Sequence, residues 1–252
     1  MKLFHILTVT LLLLVSTVQA AETITVAVAA NVKYAFDDIS AAFTKETGIA
    51  VTSVVSSSGK LTAQIKNGAP YDVFLSADML YPTSLHKDGL AVVAPKVYAN
   101  GALVLWTNKD IDLSKGMAVL ADAAIIKVAI ANPKLAPYGR ETIKALDYYK
   151  LKSSVEPKLV YGESISQVNQ YIDTKSVDIG FTAKSVVVSP ELKGRGTWID
   201  VPPESYEPIA QGMVILKYGA QNHGEAARKF YGFVLSSRQS KEILSQFGYK
   251  LP

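Results

Sequence analysis

The sequence contains no cysteine and only three histidines among its 252 residues. The absence of cysteine excludes disulfides, thiol nucleophiles, thiolate metal sites and a lipid anchor on an N-terminal cysteine. So few histidines argue against a metal site built from imidazoles. Strong charge is also missing, because the formal net charge is only +4 and no run of basic residues stands out. We therefore expect no nucleic-acid partner.

The first twenty residues have the pattern of a secretory signal peptide. Lys2 gives a basic start, an apolar run extends from residue 6 to residue 15, and small residues end at Ala20, where we expect cleavage. The alternative is a membrane anchor, but a membrane span needs about 20 apolar residues and this run is shorter. We predict that residues 1–20 are removed on export and that the mature chain is free in a periplasm.

The remaining residues alternate between short β-rich runs and helical patterns. Residues 23–29 form the first β-rich run, residues 31–43 carry apolar side chains at helical spacing, and residues 49–55 form the next β-rich run. The same alternation continues through a strong β-rich run at 101–106 and beyond it. With 49% apolar residues the chain can bury a sizeable core. The pattern predicts an α/β fold with parallel strands covered by helices.

Two lobes fit the distribution of proline and glycine, which are scattered rather than concentrated in one linker. We place the boundaries near residues 100 and 207, the second of them where prolines mark an irregular crossing. Lobe one then comprises residues 21–100 and 208–252, and lobe two, residues 101–207, is inserted into it. Ligands in such folds bind at the carboxyl ends of the strands, where the helices begin.

Four predicted junctions between a strand and a helix carry small, polar or aromatic residues. They are Ala30-Asn31, Ser57-Ser58-Gly59, Pro137-Tyr138-Gly139 and Glu163-Ser164-Ile165-Ser166. The start of a helix presents free N–H groups and a partial positive charge, so four converging starts predict an anion-binding cleft. The structural alternatives are helix caps for Ser58 and Asn31. For Tyr138 the alternative is a packing residue, and for Glu163 it is a solvated loop charge.

A catalytic site is less favoured by the sequence. The mature chain has only two histidines, His86 and His223, and neither lies beside a strand-end motif, so no serine has a recognisable base. Asp72 and Asp78 flank a predicted strand and are better explained by structural capping than by ligand binding. No cluster of His, Asp or Glu has metal-ligand spacing. We expect no enzyme and no cofactor; an exported serine hydrolase and an interaction module remain as rival hypotheses.

Several segments resemble the periplasmic molybdate-binding proteins of ABC importers, in the same order along the chain. They are residues 26–31 (VAVAAN), 56–61 (SSSGKL), 68–78 (GAPYDVFLSAD), 131–139 (ANPKLAPYG) and 247–249 (FGY). The resemblance covers almost the whole mature chain. It implies a type II periplasmic binding protein, with two α/β lobes built on mixed sheets and a ligand cleft between them. It also implies molybdate or tungstate as ligand, the membrane permease of an ABC importer as partner, and a monomer.

The resemblance also implies the residues that contact the oxyanion through hydroxyls and backbone amides rather than arginines. These residues are Asn31 with the adjacent Ala30 backbone, Ser58 with the adjacent Ser57, Tyr138, and the backbone of Ile165. They would contact the oxygens of molybdate and would not be direct ligands of the metal. Some members have serine where Asn31 stands, and some use a tyrosine where this chain has Ala183. We expect Tyr138 to supply the phenol in place of that tyrosine.

The donor chemistry fits a fully deprotonated oxyanion, which accepts hydrogen bonds and donates none. The NH2 of Asn31 and the hydroxyls of Ser58 and Tyr138 are uncharged donors. A protonated phosphate would need an acceptor, and the four junctions contain no aspartate, although Glu163 lies in one of them. Sulfate also only accepts hydrogen bonds, so another tetrahedral oxyanion such as sulfate remains the alternative, and cleft size must discriminate.

Overall fold

The computed structural model describes residues 22–252. The predicted signal peptide lies outside these residues and stays a prediction. The described strands are β1 Thr23–Ala29, β2 Ala50–Ser56, β3 Val73–Leu75, β4 Lys96–Gly101, β5 Leu103–Thr107, β6 Val128–Ala131, β7 Leu159–Gly162, β8 Ile179–Ala183, β9 Thr197–Asp200 and β10 Ile209–Ile215. The described α-helices are α1 Lys33–Thr47, α2 Ser58–Lys66, α3 Leu80–Lys87, α4 Pro137–Tyr148, α5 Lys152–Val155, α6 Ile165–Asp173, α7 Lys184–Val187, α8 Lys217–Asn222, α9 Gly224–Ser236 and α10 Arg238–Gln246. Among the helices within 22–252, none combines the length and apolarity that crossing a membrane requires.

The strands form two five-stranded mixed sheets, in the orders β2-β1-β3-β10-β4 and β7-β6-β8-β5-β9. The expectation of parallel strands is right for β1 with β2 and β3, and for β6 with β7 and β8. It is wrong for β10 and β5, which pair antiparallel with their neighbours. Both strands enter their sheet directly from the other sheet, so no helical crossover forces them to run parallel. The predicted α/β class with mixed sheets flanked by helices is confirmed.

The chain passes between the sheets at two places. The first sheet takes its strands from residues 23–101 and 209–215, and the second takes its strands from residues 103–200. The division that we propose, near residues 100 and 207, lies at these crossings. The strand predicted over 101–106 corresponds to β5, which begins and ends slightly later, and Gly101 instead ends β4, which belongs to the other sheet.

Aromatic packing holds the helices of lobe one against its sheet. Helix α1 buries Phe36 and Phe43 one above the other, and both pack edge-to-face on Phe230 of α9, with ring centroids 5.9 and 5.1 Å apart. Helix α1 ends at Gly48, whose φ of 74° is readily adopted only by glycine. Helices α9 and α10 therefore return to lobe one, where both contact α1. The carboxyl ends of β1, β2 and β3 lie towards lobe two.

Candidate functional site

Four helical starts meet where the two sheets face each other. Helices α2, α4 and α6 begin at Ser58, Pro137 and Ile165, and a 3-10 turn beginning at Ala30 leads into α1. The first N–H groups of a helix have no acceptor within that helix, and they lie at its partially positive end. Two of these starts come from each lobe, so N–H groups converge on the cleft from both sides.

The four starts enclose a narrow cavity of about 10 Å³ between the lobes, which is room for about one water molecule. Its walls are Ala29, Ala30, Asn31, Ser57, Ser58, Ala77, Ala136, Pro137, Tyr138 and Ile165. The structure therefore brings together all six residues named from the sequence, and none of the described residues that line the cavity is charged. Pockets for drug-sized ligands measure about 300–1,000 Å³, so this cavity is far too small for an organic molecule of that size.

Ser57 has a buried hydroxyl with no protein partner. Its side chain is 3% exposed, and its Oγ makes no hydrogen bond within the described part of the chain. Although Ser57 stands at the N-cap position of α2, its side chain does not cap that helix. Buried hydroxyls in folded proteins nearly always have a partner, so the Ser57 hydroxyl is free to bond to whatever occupies the cavity.

Ser58 is also not a helix cap. Its Oγ accepts a hydrogen bond of 3.0 Å from the backbone N–H of Ala77, across the cavity wall. A hydroxyl whose oxygen accepts in this way still has its own proton to donate. Ser58 and Ser57 therefore place two hydroxyl protons beside each other at the start of α2.

Asn31 lies on the cavity wall, but its NH2 group does not face the cavity as we expected. Its Nδ2 donates to Gln211 Oε1 at 2.9 Å and to Tyr249 Oη at 3.2 Å. The residue is buried, so both amide hydrogens need partners, and residues distant in sequence supply them. The donor that Asn31 can offer a ligand is its backbone N–H in the 3-10 turn.

Tyr138 is buried completely in the first turn of α4. Its hydroxyl crosses to lobe one, where it accepts a hydrogen bond of 3.2 Å from Gln211 Nε2. Burial raises the pKa of Tyr138 well above its usual value, so the hydroxyl keeps its proton. The residue is fully rather than half buried, and it packs in the hydrophobic core as the structural alternative predicted. Ala183, at the end of β8, is also buried and offers no side-chain donor.

A buried polar network lies behind the cavity, and sequence reasoning missed most of it. Gln211 accepts hydrogen bonds from Tyr98 Oη at 2.7 Å and from Asn31. Ser185 Oγ and Tyr249 Oη donate to the backbone oxygen of Asn31 at 2.7 and 3.0 Å. Gln211 is the one polar side chain in the otherwise apolar β10, and this is the signal that could have identified it. The network fixes the 3-10 turn that forms one cavity wall.

Two ion pairs join the lobes at the rim of the cleft. Lys60 of α2 pairs with Glu163 of lobe two, and Arg140 of α4 pairs with Asp78 of lobe one. Glu163 is thus an exposed loop charge, as the structural alternative predicted, and it is paired with Lys60. It does not line the cavity, so the wall of the cavity offers no carboxylate to a protonated phosphate. Asp78 also accepts from the backbone N–H of Tyr81 at the start of α3, as the capping hypothesis predicted.

Two hydrogen bonds to backbone oxygens of lobe two also join the lobes, so that the cleft between them is closed. The N–H of Gly59 in α2 donates to Leu135 O in lobe two at 2.9 Å. Nearby, Tyr81 Oη donates to Lys134 O at 3.3 Å. The closed arrangement therefore rests on direct contact between the backbones of the two lobes.

Asp72 has a structural role in lobe one, away from the cavity. Its carboxylate accepts from the backbone N–H of Thr25 at 2.6 Å and lies 2.8 Å from His223 Nδ1. Residues 22–252 contain no group of three or more His, Cys, Asp or Glu side chains placed to hold a metal ion. The chemistry available in the cavity is therefore uncharged hydrogen-bond donation.

Comparisons with known proteins agree on family and fold. Residues 24–250 match the family described as bacterial extracellular solute-binding protein. The molybdate-binding protein ModA of Azotobacter vinelandii is 39% identical over 241 residues, which are 95% of this chain and 94% of that protein. ModA of Rhodobacter capsulatus is 40% identical over 231 residues, 91% of this chain and 89% of that protein. The solved structure of the Azotobacter vinelandii periplasmic molybdate-binding protein matches with a TM-score of 0.83 and 33% identity, covering 91% of this chain and 99% of that chain.

Proposed function

Because this chain belongs to the bacterial extracellular solute-binding protein family, we propose that it captures molybdate in the periplasm and delivers it to the permease of an ABC importer. Tungstate, an equally charged tetrahedral oxyanion, is proposed to bind the same donors. The protein would act as a monomer and as a carrier rather than an enzyme.

The observation that carries this proposal is the orphaned hydroxyl of Ser57 on the wall of an uncharged, donor-rich cavity. The adjacent Ser58 hydroxyl, the Tyr138 hydroxyl and the backbone N–H groups of Asn31 and Ile165 complete the proposed donor set. A dianion in this place gains hydrogen bonds at its oxygens and meets no carboxylate. Hydrogen bonds to a charged acceptor contribute about 1.5–3 kcal/mol each after the exchange with water is included.

Closure of the lobes is proposed to provide affinity. The donors come from both lobes, so an anion binds the closed state better than the open one and shifts the population towards it. Sulfate offers the same hydrogen-bonding pattern, so the proposed discrimination is by size, because molybdate and tungstate have longer bonds to oxygen.

A panel of oxyanions tests the proposal. Molybdate, tungstate, sulfate and phosphate are added separately to the mature protein, and the melting temperature and calorimetric Kd are measured. A ligand at 100 times its Kd adds about 2.7 kcal/mol of stability, so we expect large shifts for molybdate and tungstate and small shifts for the others. No shift with any of the four would refute the function, and equal shifts with sulfate and molybdate would refute the selectivity.

A further inference from the structure

The C-terminal segment of the chain turns back onto lobe one behind the wall of the cavity. After helix α10, Gly248 adopts a φ of 76°, which allows the chain to turn. The backbones of Asn100 and Lys250 then exchange two hydrogen bonds, of 2.7 and 3.0 Å, near the end of β4. Tyr249 lies between the turn and this pairing and is buried, with 5% of its surface exposed. The FGY segment therefore fixes one buried tyrosine at a defined place.

The hydroxyl of Tyr249 bonds to both the side chain and the backbone of Asn31. Its Oη accepts from Asn31 Nδ2 at 3.2 Å and donates to Asn31 O at 3.0 Å. Burial raises the pKa of Tyr249 to about 12, so the phenol keeps the proton that it donates. Asn31 is one of the residues that line the cavity. Tyr249 therefore restrains a residue of the cavity wall.

Ser185 of lobe two holds the same backbone oxygen. It is the second residue of α7 and is buried. Its Oγ donates to Asn31 O at 2.7 Å and lies 3.1 Å from Tyr249 Oη. Asn31, Ser185 and Tyr249 thus form a closed group, to which lobe two contributes the serine and lobe one the other two residues.

These hydrogen bonds determine which way the backbone of the 3-10 turn faces. Neither Ser185 nor Tyr249 lines the cavity, so the two hydroxyls hold the oxygen of Asn31 on the side away from it. In a helical turn the N–H groups point opposite to the carbonyl oxygens. The N–H of Asn31 is therefore turned towards the cavity, where a carbonyl oxygen would repel an anion.

We infer that Tyr249, together with Ser185, is a positioning residue that orients the turn of Asn31 so that its backbone N–H donates to the bound oxyanion. The inference rests on the proposed function. Because Ser185 belongs to lobe two, both lobes hold the turn, and its orientation depends on their contact. The C-terminal segment thereby contributes to binding although it does not line the cavity.

Calorimetry and NMR on two variants test this role. Tyr249→Phe and Ser185→Ala each remove one hydroxyl that donates to Asn31 O. We expect each variant to raise the Kd for molybdate about fivefold, which is the effect of about one hydrogen bond. At saturating molybdate, the backbone amide NMR signals of Asn31 and Ile165 should both shift in the wild type. In each variant the shift of Asn31 should be smaller, while the shift of Ile165, a proposed donor in lobe two, keeps its wild-type size.

Tyr231→Phe and Ser240→Ala are the matched controls, because they make the same chemical changes elsewhere in lobe one. The Tyr231 hydroxyl makes no hydrogen bond within the described part of the chain, and Ser240 Oγ donates to Val234 O at 3.1 Å. Ser240→Ala should lower the melting temperature. Both controls should keep the wild-type Kd for molybdate and the wild-type shift of Asn31.

The possible failures can be told apart. A wild-type Kd in Tyr249→Phe or in Ser185→Ala would overturn the inference, as would shifts that shrink equally at Asn31 and Ile165. If Tyr249→Phe does not fold, Ser185→Ala alone decides, because it removes the other donor to the same oxygen. Wild-type protein that binds neither molybdate nor tungstate would refute the proposed function itself, whereas unchanged variants of a protein that binds would refute only the positioning role.

Discussion

Gly59 allows the most selective perturbation of lobe closure. It is the second residue of α2, and a Cβ at this position would lie 2.9 Å from Leu135 O and 3.0 Å from Leu135 Cα in the other lobe. The backbone of Leu135 cannot rotate away as a side chain would. In Gly59→Ala the lobes must therefore stay apart by about 0.5 Å at this point, to restore an ordinary contact near 3.4 Å.

The expected change in the Kd for molybdate follows from the hydrogen bond that this separation stretches. The bond from Gly59 N–H to Leu135 O would lengthen from 2.9 to about 3.4 Å, beyond the range of a good N–H···O bond. Its loss is worth about 1 kcal/mol, so the Kd for molybdate should rise about fivefold. Alanine is a better helix former than glycine by about 0.5–1 kcal/mol, so the ligand-free variant should melt at the same or a higher temperature.

Calorimetry with molybdate and thermal melting of the ligand-free protein measure the two effects separately. Gly232→Ala in α9 is the matched control, because a Cβ there meets nothing within 4 Å. It should gain stability in the same way and bind as tightly as the wild type. A Gly59→Ala variant that is at least as stable as the wild type and binds molybdate equally well would show that closure does not need this contact.

Three further results are expected. Ser58→Ala and Tyr138→Phe should each weaken molybdate binding by about 1–3 kcal/mol in calorimetry, since each leaves an anion oxygen without a donor, and unchanged affinity in both would remove them from the site. Burial raises the pKa of Tyr138, so the phenol loses its proton only as the pH rises through that raised value. The Kd for molybdate should therefore stay constant from about pH 7 to pH 9. A steep rise of the Kd within that window would contradict a protonated Tyr138. Arg140→Gln should raise the Kd for molybdate about fivefold and Lys60→Gln by less than about twofold, because the Arg140–Asp78 ion pair is less exposed than the Lys60–Glu163 pair. A larger effect of Lys60→Gln would contradict the view that the less exposed pair contributes more to closure.

The positions of the candidate site residues could be predicted because they depend on local pattern. Apolar runs followed by Asn31, Ser58 or Ile165 indicate where a strand ends and a helix begins. Parallel neighbours have their carboxyl ends at one edge of a sheet, so the junctions within each lobe had to lie close together. The packing of the two lobes then brings both sets to one cavity, an arrangement that the family resemblance implied.

The hydrogen-bond directions could not be predicted, because they depend on residues far away in sequence. Asn31 donates its amide hydrogens to Gln211, 180 positions later, and to Tyr249 near the end of the chain. Nothing in the local sequence of Asn31 distinguishes this arrangement from one in which the amide faces the cavity. The antiparallel pairing of β10 could not be predicted for a similar reason, since its partners β3 and β4 precede it by more than a hundred residues.

The most direct test of the central claim is to locate the ligand itself. Crystals of the mature protein grown with tungstate allow the tungsten to be placed by its anomalous scattering. The account predicts one tungsten site in the cavity, with its oxygens at hydrogen-bond distance from the hydroxyls of Ser57, Ser58 and Tyr138 and from the backbone N–H of Ile165. A tungsten held elsewhere, or one contacted by lysine or arginine side chains in place of these donors, would contradict it.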